Sequence, residues 1–156
     1  MEFITITQYF NKLQAALFLL LLVPLLVFIA LYFVEDGTLP DSHWEYSIIS
    51  AAVLTNWLVT MIISAKKIKS ARNEQGLGAK LEKYFGITVV RFSFLSAGNL
   101  LLAVGLYLTG SDAFTALYVA GLVLSAILWP TGKRVSKDLK LRGDEREMVY
   151  FKRDTF

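Results

Sequence analysis

Apolar positions in this chain are gathered into runs rather than spread through it. Residues 13–34 hold no charge and are mostly leucine, valine and phenylalanine. Further runs cover 46–65, 87–109 and 113–130. Each is about as long as the ~20 residues a helix needs to cross a ~30 Å hydrocarbon core. Hydrocarbon offers the backbone no hydrogen-bond partner, so spans of this kind must be helical. The pattern therefore predicts an all-α integral membrane protein, a four-transmembrane-helix antiparallel bundle. The first run exceeds the ~7–15 apolar residues of a signal peptide and ends without a small-x-small cleavage site, so it reads as a retained span. Pro24 lies inside it and frees one backbone carbonyl.

Between the runs the polar residues sort by sign. Residues 35–45, EDGTLPDSHWE, carry four carboxylates and no Lys or Arg. Lys66, Lys67, Lys69 and Arg72 follow the second run directly, and Gly76 and Gly78 then act as breakers. Leu77, Leu81, Tyr84 and Phe85 recur at helical spacing with Lys80 and Lys83 opposite, a short amphipathic segment suited to the headgroup layer. At the N-terminus, Phe3, Ile6, Phe10 and Leu13 also fit a helix, whereas the alternation in ITIT fits a strand. Past Trp129-Pro130 the chain is charged, and its first part reads as an extension of the fourth helix to Arg142, where Gly143 breaks it. The expected organisation is a cytoplasmic or interfacial segment 1–12, a four-helix transmembrane domain 13–132 and a charged cytoplasmic tail 133–156.

The distribution of Lys and Arg orients such a bundle. Residues 66–86 hold six and the tail holds eight, whereas 35–45 and 110–112 hold none. Both termini should face the cytoplasm, in the cytoplasmic (inner) membrane. The outer ends of spans one and three share a Leu-Tyr pair ahead of acidic residues, and spans two and four both end in basic clusters. The bundle can thus be read as two parallel-repeated helical hairpins. Short outer connections make spans one and two, and spans three and four, neighbours.

Composition sharpens the picture. Of 156 residues, 55% are apolar and 19% charged, against ~45–50% and ~25% for soluble domains. There is no cysteine and one histidine, His43. That excludes disulfides, thiolate metal sites and multi-histidine sites within one chain. Asp41, His43 and Glu45, with Glu35, Asp36 and Asp112, match no metal-site spacing and read as a solvated acidic rim. No cofactor or metal is expected.

Arg91 is the one full charge inside a run. Its long side chain is within reach of the headgroups. The alternative is a buried partner for an asparagine, a carbonyl, a lipid phosphate or an anionic ligand. A helical wheel places it with Leu95, Gly98 and Leu102, and Asn99 at the edge, which favours the bundle interior. Asn56 and Asn99 need hydrogen-bond partners at membrane depth, supplied by each other or by Ser/Thr. Together Arg91, Asn56 and Asn99 form the expected ligand-binding or structural polar core. Small residues at 47/51/55, 52/56/60, 116/120, 121/125, 98 and 105 suit close helix packing, within the bundle or between subunits. Span one lacks them and is the candidate lipid- or partner-facing helix. Lys66, Lys67, Lys69, Arg72, Lys133 and Arg134, with Lys137, would form a basic ring that contacts anionic lipid.

No intramembrane carboxylate, nucleophile motif or phosphate-binding loop is present, so an enzyme is not expected. The tail interleaves Asp138, Asp144, Glu145 and Glu147 with its basic residues, which disfavours nucleic acid. The expectation is a non-catalytic small polytopic membrane protein, an accessory subunit, scaffold or sensor. Its partners would be membrane lipids and a second copy or another membrane protein. The alternative is an oligomeric channel or transporter for a small solute or anion.

Overall fold

The computed structural model of the chain describes residues 5–34 and 43–152. Among these the chain is wholly helical, with six helices: α1 (Ile6–Phe33), α2 (His43–Ala71), α3 (Leu77–Thr109), α4 (Asp112–Ile127), α5 (Gly132–Asp138) and α6 (Gly143–Phe151). Phe3 and most of the acidic loop, including Glu35, Asp36 and Asp41, lie outside the described residues, as do the side chains of His43 and Glu45.

Three helices, α1, α2 and α3, are long and apolar enough to cross a membrane, or up to four spans if α4 and α5 count as one broken span. Length and composition thus mark the chain as an integral membrane protein. The 33 residues of α3 rise about 50 Å. The 16 of α4 rise only about 24 Å.

Local chemistry sets the helix ends. Thr5 is extended and its hydroxyl accepts from Gln8 N at 3.2 Å, so Thr5, Ile6 and Thr7 open a helix rather than a strand. At the other end of the bundle Gly110 adopts φ +62° and returns its N–H to Leu106 O, closing α3 in a left-handed cap. That cap permits the tight turn into α4.

α3 is the hub: α1, α2 and α4 all pack against it. Spans one and two were expected to pair across their short connection, but each has its main contact with α3 instead. Along α1 and α3 the numbers rise together, with Tyr9 against Phe85 and Leu20 against Ser96. Along α2 they run against α3, with Asn56 meeting Phe94 and Ser70 meeting Lys83. Burial follows. α2 buries one stripe, Ser50, Val53, Trp57, Thr60, Ser64, Ile68 and Ala71. α1 leaves Phe18, Leu19, Leu26 and Phe33 exposed, while α3 is buried on most of its circumference.

Gly76 opens α3, but Gly78 and Gly86 do not interrupt it, so the expected interfacial segment and the third run form one helix. The expected straight extension of the fourth helix also fails. Pro130 has no N–H to continue the ladder, and α5 leaves α4 at 77°. Thr131 then caps α5 by accepting from Arg134 N at 3.3 Å. α6 folds back on α5 around Gly132, where an added Cβ would lie 2.6 Å from Val149 O. Lys80 bonds Glu145 at 2.9 Å, and Lys152 lies 5.1 Å over the Phe10 ring. The basic segments therefore form a packed layer at one end of the bundle.

Candidate functional site

The glycines of α3 and α4 create the interior. A Cβ at Gly98 would stand 2.8 Å from Trp57 Nε1, and one at Gly105 2.8 Å from the Phe114 ring. One at Gly121 would collide with Asn99 Oδ1 and lie 2.8 Å from Trp57 Cζ2. These close approaches bring Trp57 and Asn99 together in the centre. By contrast, Ser47, Ala51, Thr55, Ala116 and Ala120 face outward.

The two asparagines part company. Asn56 Nδ2 donates to Phe94 O at 2.8 Å. Asn99 is 1% exposed, and neither its amide nitrogen nor its oxygen has a hydrogen-bond partner among the described residues. The expected bond between them, or to Ser/Thr, does not form. Trp57 Nε1 is likewise buried without a partner.

A second interhelical lock was only half visible in the sequence. Pro24 cannot donate to the carbonyl four residues back. That carbonyl, Leu20 O, accepts from Ser96 Oγ on α3 at 2.7 Å.

Arg91 is 3% exposed, so it is buried within the protein. Its Nη2 donates to Leu128 O at 3.3 Å, and its Nε has no partner among the described residues. Arg91 lines two cavities. One is a groove of about 530 Å³ between α2 and α3, shared with Asn56, Thr60, Ser64, Lys67 and Phe94. The other is a crevice of about 220 Å³, shared with Ser64, Lys69, Arg72, Arg134 and Asp138. The structure thus joins Arg91 to Asn56 through the groove and leaves Asn99 in the packed centre.

Asp138 organises the crevice. Tyr84 donates to its Oδ2 at 2.9 Å, and Arg134 Nε stands 3.7 Å from the same atom. Arg72 Nε donates to its backbone oxygen at 2.6 Å. Arg134 Nη1 also donates to Ile127 O, one of the carbonyls released at the end of α4. Lys69, Arg72, Arg91 and Arg134 line the crevice with this one carboxylate, so it keeps a positive excess. Sequence reasoning counted Asp138 only as a charge in the tail. The i,i+4 spacing of Arg134 and Asp138 was a signal for their pairing, but Tyr84 carried none.

The anticipated basic ring is divided. Lys67 borders the groove, and Lys69, Arg72 and Arg134 border the crevice. Lys133 lines a separate cleft of about 630 Å³ with Lys137, Lys140, Arg142 and Arg146. Lys66 is exposed. The fold and site define a helical membrane protein with a basic end built around Arg91. Comparison with protein-family models, with curated proteins and with solved structures finds no match.

Proposed function

We propose that the chain is a non-catalytic membrane component, an accessory subunit or scaffold of the cytoplasmic membrane. It spans the bilayer four times as an antiparallel bundle with both termini in the cytoplasm. The short α4 ends at Ile127, and Trp129 just beyond it is an aromatic suited to the headgroup level. Lys66, Lys67, Lys69, Arg72, Lys133 and Arg134 hold it to anionic lipid at ~1 kcal/mol each.

The observation that carries this reading is how the interior polar groups are used. Ser96 and Asn56 bind backbone carbonyls on neighbouring helices, and Asn99 is packed beneath Gly121. Ser96 and Asn56 fasten helix to helix by hydrogen bonds, and Asn99 contributes close packing alone. Rigid spacing of this kind suits a subunit that presents fixed surfaces, and α1 and α2 present rows of exposed large apolar residues.

Native mass spectrometry of the protein, gently extracted from its own membrane, tests this. A defined heteromeric mass is expected. A homo-oligomer without a partner would refute the accessory role. It would favour the second reading, an anion channel, for which the groove beside buried Arg91 is the specific support. Conductance in liposomes that changes in Arg91→Gln would then follow.

A further inference from the structure

The groove between α2 and α3 has the chemistry of a lipid. Val59, Ile63, Val90 and Phe94 form its walls, and each is about half exposed on the flank of the bundle. Lys67 stands at its basic end, and Arg91 lines it farther along α3. From Ala52 to Lys67 it follows α2 for about 22 Å, long enough for the ~15 Å of hydrocarbon in one leaflet.

Arg91 supplies the second reason. A buried cation is costly unless paired. Arg91 donates to the neutral Leu128 carbonyl and interacts with the Tyr84 hydroxyl, and no carboxylate lies within salt-bridge distance of it among the described residues. In the crevice behind it Asp138 already serves Tyr84 and Arg134. An anion between them, toward the groove's basic end, would meet both Arg91 and Lys67. A small soluble anion would use that end alone and leave the apolar walls uncovered.

We infer that this groove binds one anionic phospholipid, its phosphate on Arg91 and Lys67 and one acyl chain along Val59, Ile63, Val90 and Phe94. The inference rests on the membrane reading and deepens its lipid partnership. The occupant is a resident lipid, distinct from the lipids drawn diffusely to the exposed basic residues.

The full-length chain is reconstituted into vesicles of equal phosphatidylglycerol and phosphatidylcholine, extracted gently, and its retained lipid identified by native mass spectrometry. One phosphatidylglycerol per chain is expected, undisturbed by millimolar inorganic phosphate. Lys67→Gln should lower its retention about fivefold, the share of one basic residue at a membrane surface. Val90→Trp fills the groove, leaves both charges, and should lower retention similarly. Arg146→Gln, on α6 away from the groove, should change nothing. Arg91→Gln should abolish the preference. If that variant fails to fold, the exposed Lys67 and Val90 positions still decide the matter. Equal retention of both lipids, or no effect of Lys67→Gln and Val90→Trp, overturns the inference. So does displacement by inorganic phosphate, which would make this a site for soluble anions. A chain that does not float with vesicles overturns the membrane reading as well. One that floats but shows no preference overturns this inference alone.

Discussion

Replacing Ser96 with alanine removes the donor on which Leu20 O depends. Pro24 has no N–H, so the helix itself has no replacement to offer. Ser96 is 7% exposed and its hydroxyl stands 2.7 Å from that carbonyl. Leaving a buried acceptor unsatisfied costs ~1–3 kcal/mol in proteins generally. Side-chain hydrogen bonds between membrane helices average ~0.6 kcal/mol and reach ~1.7. A loss of about 1–1.5 kcal/mol is therefore expected, since this acceptor lacks its intrahelical partner. In a Pro24→Ala background the new N–H takes Leu20 O, and Ser96→Ala should then cost no more than about 0.5 kcal/mol. The coupling energy should be about 1 kcal/mol. The four proteins of this cycle would be unfolded reversibly in mixed micelles of mild detergent and dodecyl sulfate. Equal costs of Ser96→Ala in both backgrounds, within the ~0.3–0.5 kcal/mol of simple additivity, would refute the argument that the proline creates the need for the serine.

Other expectations follow from close contacts. Gly121→Ala drives a methyl into Asn99 and Trp57 and should cost about 1–3 kcal/mol in the same unfolding assay. Gly86→Ala lies inside α3, meets nothing within 4 Å and should stabilise by about 0.5–1 kcal/mol. Gly132→Ala places a methyl 2.6 Å from Val149 O and 3.0 Å from Tyr150 O. Backbone cannot yield there as a flexible side chain can, so amide exchange across 143–151 should quicken while that of α1 and α2 holds. Tyr84→Phe removes the bond to Asp138 and should cost about 1 kcal/mol, at the low end because Asp138 is partly exposed. Faster exchange confined to α5 and the start of α3 would report it.

Much of the interior of α3 was legible beforehand. The wheel that grouped Arg91 with Leu95, Gly98, Leu102 and Asn99 grouped residues that are all buried. A helix must turn the same residues together whatever surrounds it, so the grouping was available from spacing. Its hub position had a signal too. Span three carries small or polar residues at 93, 96, 98, 99 and 105, more than one face can hold. The fates of Asn56 and Asn99 had none, because an amide at membrane depth states a need for partners without saying which are near. The small-residue rows show the same limit. Gly98 and Gly121 receive Trp57, while the equally regular row Ser47, Ala51 and Thr55 faces outward.

Run length, charge sign and the turn residues suffice for the apolar helices, the separation of acidic and basic segments, and the free carbonyl that Pro24 must leave. These depend on neighbours within a few positions, where helix geometry is invariant. Which helix occupies the centre, that Ser96 meets Leu20 across 76 positions, and that Asp138 meets Tyr84 across 54 belong to the tertiary structure. So does the 77° bend that carries Arg134 and Asp138 to Arg72 and Arg91. Complementary shapes on distant segments choose those contacts, and no local period records them.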